Sequence, residues 1–517
     1  MPRLRKATAL AATAALLVAS AATTAYAAPN NNTVRKLTGA VTVDGVMDHL
    51  EAFQQIADAN GGNRASGLPG YKASVDYVVE QLESAGYDPV VQEFTFDYFE
   101  ENSELIRVSP LPRTFVEGID FLRNTFDSGT PEGTATGALT PVDLVLNPAG
   151  PANSSTSGCE PADFAGFPAG AIALLQRGTC GFAVKALNAQ AAGASAVIIM
   201  NEGQPGRTGL LNMIGDATGL TIPAVFATYD AGVDLAQTPG ATVTVTVDFT
   251  EDQRTSYNVL AETKSGNDAN VVMAGAHLDS VQEGPGINDN GSGSAALLET
   301  AIQFAKVKPA NTVRFAWWGA EEYGLLGSEY YVAHLTEEEA ASIALYLNFD
   351  MVASPNYMFG VYDGDNSGGT APAGFIPAGS AEIEDVFESF YISRGEPYQD
   401  SEFSGRSDYG PFIAVGIPAG GLFTGAEGVK TAQEQALYGG TAGIAYDPCY
   451  HAACDDLDNL SLKALDVNSD AIATAVLTFA TSTADVNGVA GKPGRRIGQL
   501  KLGGADPVDA MAGRLSS

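Results

Sequence analysis

Histidine is scarce in this chain, four residues in 517, so each can be asked what it does. His277 closes an apolar run in Ala276-His277-Leu278-Asp279-Ser280, and His451 lies in Cys449-Tyr450-His451-Ala452-Ala453-Cys454-Asp455. Carboxylates stand in comparable places: Asp289 in Gly286-Ile287-Asn288-Asp289-Asn290-Gly291-Ser292-Gly293, Glu321 and Glu322 shortly after Trp318, and Asp350 directly after Phe349. Singly, each has a bland explanation. His277-Leu278-Asp279 is a polar cap on a strand, Asn288 to Ser292 a turn leading to an N-cap at Ser292, and Glu321-Glu322 a solvated pair. Together, at successive strand ends, they make a donor set. So many acids at one rim repel unless cations lie between them. Imidazole with carboxylate is a shell suited to Zn²⁺. Even with only one of the adjacent glutamates counted, five donors exceed what one catalytic zinc uses, and two ions sharing a bridging carboxylate, about 3.5–4 Å apart, fit five better. His49 and His334 fall in helical stretches and are assigned to structure.

Such a rim requires a scaffold that brings several strand ends to one edge. Val271 to Ala276, Thr312 to Trp318 and Ile343 to Phe349 read as strands alternating with helices, one of them over Ser292 to Lys306 with Ala295, Leu298, Ile302 and Ala305 inward. The alternation predicts an α/β fold, a mostly parallel mixed sheet flanked by helices, in which ligands bind beyond the carboxyl ends of the strands. Upstream, a helix is predicted from about Tyr71 to Ala85, closed by Gly86, then a strand from Val90 to Phe96. The next strand that could pair with it, Asn258 to Ala261, comes more than 150 residues later. The Gly/Pro/Thr-rich segment between them has its own core: a strand at Ala171 to Leu175, a helix at Ala183 to Ala192 and a strand at Ala196 to Met200. It is expected to be an inserted α/β domain. The resulting map is a host domain over 28–100 and 252–485, an insert over 101–251, and a Gly/Pro-rich tail over 486–517 with Lys492, Arg495 and Arg496 that is open to processing.

Composition narrows the partners. Acidic residues number 61 against 27 basic ones, a formal net charge of −34, which repels a phosphate backbone and argues against nucleic acid. Arg3, Arg5 and Lys6, an Ala/Leu-rich run and Ala25-Tyr26-Ala27 form a secretory signal peptide over 1–27, and losing its three bases takes the charge from −34 to −37. No later stretch reaches the ~18 continuous apolar residues of a membrane span. A secreted, extracellular chain permits disulfides, and proximity pairs Cys159 with Cys180 and Cys449 with Cys454.

HLDS, GINDNGSGSAALLE, FAWWGAEEYGLLGS, LNFDM and CYHAACD, with GGNRASGLPGYKASVDYV, GRSDYGPF and GGLFTGAE, resemble the secreted two-zinc leucyl aminopeptidases. This is the co-catalytic zinc exopeptidase family that includes aminopeptidase Y. GAIALLQRGTCGFAVKALNAQAAGASAVIIMNEG resembles the protease-associated (PA) domain, which implies a lid or access role. The resemblance implies two Zn²⁺: His277 and Asp350 on one, Glu322 and His451 on the other, Asp289 bridging. It implies Glu321 as general base and acid, Asp279 on the far nitrogen of His277, Tyr450 as oxyanion donor, and Arg406, Met351 and Phe423 lining the substrate site. The expected activity is removal of hydrophobic, leucine-like residues from peptides with a free amino terminus, by a monomer. Asp466 and Asp470, one helical turn apart, could hold Ca²⁺, although the matching position near the mature N-terminus, Ala40, offers no carboxylate. Two rivals remain: a single-zinc glutaminyl cyclase, and a non-catalytic binding protein combining a PA insert with a peptidase fold. The complete donor set with Glu321 and Tyr450 favours the peptidase.

Overall fold

Four segments, Val271–His277, Thr312–Trp318, Ile343–Phe349 and Ala419–Phe423, run parallel at the centre of an eight-stranded sheet in a computed structural model of the chain. The structure describes residues 30–489 except 124–125, 127–128, 147–150, 212 and 214. The expected signal peptide, and the tail from 490 onward, lie outside the described residues. Across the sheet the order is Val90–Glu101, Phe249–Glu262, Thr312–Trp318, Val271–His277, Ile343–Phe349, Ala419–Phe423, Gly360–Tyr362 and Gln399–Ser401. Phe249–Glu262 and Gly360–Tyr362 pair antiparallel with their inner neighbours, so the sheet is mixed around a parallel centre.

Every residue of Val271–His277 and Ile343–Phe349 is buried. Helices cover both faces of the sheet, which is why these strands are continuous apolar runs rather than alternating ones. The two-residue period still sorts the side chains. Val272, Ala274 and Ala276 pack into one layer and Val271 and Met273 into the other. The first layer is filled by the helices Val43–Ala59, Pro69–Ala85, Gly293–Phe304 and Leu462–Thr481. Pro69 starts its helix, two residues before the predicted Tyr71, and Gly86 ends it, as the sequence predicts, in the left-handed region (φ 97°) with its amide on the last turn. The helix after Asp289 departs from expectation. It runs Gly293–Phe304, is buried on all sides through Ala301, and leaves Ala305 exposed. It is hemmed in by the sheet and by other helices, so it has no solvent face until its last turn.

Residues 95–254 form a second compact unit. Its eight-stranded sheet centres on Ile172–Gln176, Ala196–Met200 and Ala224–Ala227, mutually parallel and buried at every position. The helix Phe182–Ala191 joins the first two, and the Cys159–Cys180 disulfide ties the turn before that helix to the segment ahead of Ile172–Gln176. The division between the units falls within the long strands Val90–Glu101 and Phe249–Glu262. Among the described residues no helix is long and apolar enough to cross a membrane.

Among the described residues, none of 95–254 belongs to either core layer of the first unit. Replacing 95–254 by a short Gly/Ser linker is therefore expected to leave a first unit that unfolds in one cooperative transition. Calorimetry of the shortened chain tests this, and a broad, non-cooperative melt contradicts it.

Candidate metal centre and cleft

The parallel strands deliver the donors. His277 is the last residue of its strand, Asp350 directly follows Phe349, and Glu321 and Glu322 occupy the turn after Trp318. Two donors come from loops: Asp289 from the Ile287–Ser292 turn, and His451 from the short loop closed by Cys449–Cys454. The backbone at these places is unusual. Ala320, Met351 and His451 all have positive φ (56°, 50° and 54°). Left-handed non-glycine residues cost roughly 1–2 kcal/mol each and gather where structure serves a site. Side chains hold the turn after Trp318 in place: Gly319 N–H donates to Asn258 Oδ1 (3.1 Å), Ala320 N–H to Ser66 Oγ (2.7 Å) and Glu321 N–H to Asp279 Oδ1 (3.3 Å). A side chain at Gly319 would collide with the hydroxyls of Tyr71 and Ser256. Ser292 is not the N-cap its sequence suggests. Its Oγ donates to Asn288 O (2.7 Å) and accepts from Val352 N–H (3.0 Å), while Asn290 Oδ1 takes the amides of Gly293 (2.9 Å) and Met351 (3.1 Å). Both side chains thus stitch the Asp289 turn to the Asp350 turn.

The donors converge. Asp289 presents one oxygen to each imidazole: Oδ1 is 3.3 Å from His277 Nε2 and Oδ2 is 3.3 Å from His451 Nε2. Asp350 Oδ1 also lies 3.3 Å from His277 Nε2, and Glu322 Oε2 lies 3.0 Å from His451 Nε2. Glu321 Oε2 stands 3.9 Å from His277 Nε2. The electrostatics are severe. Burial pushes Glu321 well above the usual carboxylate range, and burial with Asp289 nearby pushes Glu322 to about 8. Burial alone would raise Asp289 too, but hydrogen bonds from both histidines bring it to about 2. His277 is held protonated far above its ordinary value despite burial, by Glu321 and Asp350. His451 rises to about 10 on Asp289 and Glu322. The rim therefore draws positive charge to the point midway between its acids.

Each donor is also aimed. Asp350 Oδ2 accepts from Ser407 Oγ (2.5 Å), which accepts from Asn348 Nδ2 (2.9 Å); Asn348 Oδ1 accepts from Tyr346 (3.0 Å), and Tyr346 accepts from Trp318 Nε1 (2.8 Å). That chain leaves Asp350 Oδ1, the oxygen beside His277, buried without a hydrogen bond, and Glu322 Oε1 is likewise buried without one. Asp279 is beside His277, on the Nδ1 side of the ring. His277 Nδ1 lies 3.2 Å from the main-chain oxygen of Asp279 and 3.6 Å from its carboxylate Oδ1, and that same oxygen also accepts from the Glu321 amide.

The ring of Tyr450 stacks on His451 with centroids 3.9 Å apart, and burial raises its pKa, so the phenol keeps its proton. Met351, Phe423 and Arg406 line the same cleft, about 180 Å³, with Tyr362, Glu402 and Glu427. Arg406 is at the mouth, three-quarters exposed and 3.7 Å from Glu427. His49 bonds Tyr77 at 2.7 Å and His334 bonds Tyr330 O at 2.7 Å, both away from the cleft. The doubt about a Ca²⁺ site at Asp466 and Asp470 gains a structural reason. Arg394 bonds Asp470 and lies 3.7 Å from Asp466, so a guanidinium supplies the positive charge there.

Three supporting residues escaped the sequence reading. Arg64, fully buried, donates to Leu278 O, Pro285 O (2.9 Å) and Gly286 O (2.6 Å), closing the loop between His277 and Asp289. Ser407 and Asp455 likewise act on donors from inside quoted motifs, but only spatial contact reveals their targets.

Fold and donor set together define a metal-dependent hydrolase. The sequence pattern of peptidase family M28 matches residues 258–476, and that of the PA domain matches residues 140–235. An aminopeptidase of Pseudomonas aeruginosa is 51% identical over 446 residues, 85% of this chain and 82% of that protein. A probable leucine aminopeptidase 2 of Aspergillus fumigatus is 39% identical, with 84% of each chain covered. Among solved structures, a zinc aminopeptidase from Bacillus subtilis superimposes with a TM-score of 0.55 at 26% identity, covering 85% of this chain and 95% of that one. The chain belongs to peptidase family M28 and carries a PA domain. It is a metallo-aminopeptidase, a hydrolase of peptide bonds.

The Cys449–Cys454 loop spans only five positions and carries both Tyr450 and His451. Replacing both cysteines by serine is expected to reduce turnover at least about 10-fold, the low end for loss of a group that orients a metal donor. The stability cost should stay below about 3 kcal/mol because the closed loop is short. Replacing Cys159 and Cys180 should leave turnover near the parent value. Equal turnover in both variants would separate the loop from the chemistry.

Proposed function

We propose that the chain is a secreted aminopeptidase using two Zn²⁺, with His277 and Asp350 on one ion, Glu322 and His451 on the other, and Asp289 on both. The observation that carries this reading is the placement of Asp289, whose two oxygens each lie 3.3 Å from a different imidazole. Donors sharing one tetrahedral Zn²⁺ at about 2.0–2.1 Å stand about 3.3 Å apart. The Asp350–His277 separation of 3.3 Å has the same value, and the unpartnered oxygens of Asp350 and Glu322 supply the lone pairs. The Bacillus relative described as a zinc aminopeptidase supports the choice of metal. Bound there, the ions would acidify water and polarise the scissile carbonyl.

The chain's own residues do the rest. Glu321, lifted well above the usual carboxylate range by burial, takes a proton from the attacking water and returns it to the leaving amine. Tyr450, protonated and stacked on His451, donates to the developing oxyanion. The acidic rim favours a substrate that arrives with an amino terminus rather than a carboxylate. A cleft of about 180 Å³ is below the roughly 300–1,000 Å³ of sites for larger ligands and suits a single residue. Met351 and Phe423 on its wall, and the fungal relative named as a leucine aminopeptidase, support an apolar first side chain. Two disulfides and the basic-apolar start of the sequence support export.

Exhaustive dialysis against a chelator should abolish hydrolysis of a leucyl anilide, and Zn²⁺ should restore it at about two equivalents per chain. Full turnover after dialysis would remove the metal mechanism.

The neighbouring glutamates give a sharper test. Glu322→Ala should lose or loosen one zinc together with activity. Glu321→Ala should keep two zincs and near-parent affinity for a metal-binding inhibitor, yet turn over at least ~10²-fold more slowly. Mass spectrometry of the metals, in parallel with rates, reads both. The reverse pattern would exchange the two roles.

A further inference from the structure

We propose that Asp455 is the positioning residue that sets the spacing of the two metal positions, by fastening the main chain of Asp289 to the loop that carries His451; this rests on the two-metal reading above. Asp455 is 2% exposed and captures three successive amides. Its main-chain oxygen accepts from Ile287 N–H (3.0 Å), Oδ1 from Asn288 N–H (2.9 Å) and Oδ2 from Asp289 N–H (3.0 Å). In sequence it directly follows Cys454, whose disulfide to Cys449 closes the loop bearing His451. One residue therefore ties the bridging carboxylate to a donor of only one of the two ions.

The surroundings hold Asp455 in turn. Asn459 Nδ2 donates to Asp455 Oδ1 (2.9 Å) and to Asp447 Oδ1 (2.9 Å), and Asp447 Oδ2 accepts from Asn288 Nδ2 (2.6 Å). The approach is close along the whole contact, since a side chain on Gly284 would strike Ala452 O. His277 ends one of two neighbouring parallel strands and Asp350 directly follows the other, so sheet pairing fixes both in addition to the contacts of the Asp289 turn, and the side-chain partner of Asp350 is Ser407 rather than Asp455. The carboxylate is required because it accepts on both oxygens. An amide in its place would turn a donor toward one of two buried N–H groups, and a buried donor left unpaired is costly.

The test uses the full chain and its Asp455→Asn and Asn459→Ala variants, titrated with Co²⁺ after metal removal, with visible absorption reporting each equivalent and competition with a chelator giving Zn²⁺ affinity. Wild type should take up two equivalents with distinct bands. Asp455→Asn should keep the first, with its band unchanged. Its second equivalent should bind about 10- to 100-fold more weakly with a shifted band, the range for outer partners of metal donors. Asn459→Ala retains the carboxylate and should show a smaller loss at the same equivalent, which preserves the test if Asp455→Asn does not fold. A purely structural role would lower thermal stability and leave the bands alone. Two unchanged equivalents in either folded variant overturn this proposal and leave the two-metal reading standing. A single equivalent in wild type overturns the two-metal reading, and this proposal with it.

Discussion

Mutual repulsion among the acids of the rim is the constraint to which the rest of the first unit answers. Asp289, Glu321, Glu322 and Asp350 gather around two imidazoles in a setting that takes much of their hydration away. Like charges so close disfavour their own ionisation, and burial does so further. The raised pKa values of both glutamates and both histidines express the same demand: positive charge must sit among these oxygens. Divalent cations meet that demand more completely than protons. In the two-zinc reading proposed above, such a site would both hold the metals and activate water.

Such a cluster does not hold itself together, so the fold supplies rigidity from outside it. The parallel strands fix His277, Glu321, Glu322 and Asp350 at adjacent carboxyl ends, where hydrogen bonding within the sheet sets their spacing. The loops are fixed by polar side chains on backbone amides. Asn258, Ser66 and Asp279 hold the glutamate turn, Asn290 and Ser292 bind the Asp289 turn to the Asp350 turn, and Asp455 binds it to His451. Positive φ at Ala320, Met351 and His451 belongs to the same arrangement, because ordinary turns would aim these side chains elsewhere. The buried Arg64 performs the analogous service on carbonyls, and burial lowers its pKa to about 10.

The second unit shares none of this chemistry. Its buried strands and its helices Phe182–Ala191 and Tyr229–Ala236 form an ordinary α/β core, and the five candidate donors and Glu321 all lie outside 95–254. The separation follows from the chain's path: it leaves the first sheet along one strand and returns along the strand beside it. A domain can be accommodated at that point without interrupting any of the four parallel strands that build the rim.

The sequence by itself named the candidate donors, and it determined the strands that carry them and the existence of the insert. Two facts made this possible. With only four histidines, the two at strand end and cysteine loop stood out, and strands buried on both faces leave continuous apolar runs that end visibly at polar residues. The pairing of cysteines was readable because each pair is local in sequence. Contacts between distant segments were not readable. Ser292 looked like an N-cap because a Ser before a helix usually is one, yet its hydroxyl is engaged with Asn288 and Val352. The Asp279 carboxylate faces His277 Nδ1 as expected, but that the same oxygen also holds the Glu321 amide was not legible, nor was the approach of Arg394, more than 70 residues earlier, to Asp466 and Asp470. Residue type and local spacing announce which groups can do chemistry. Which atom faces which is decided by packing between segments far apart in the chain, and only the tertiary structure contains it.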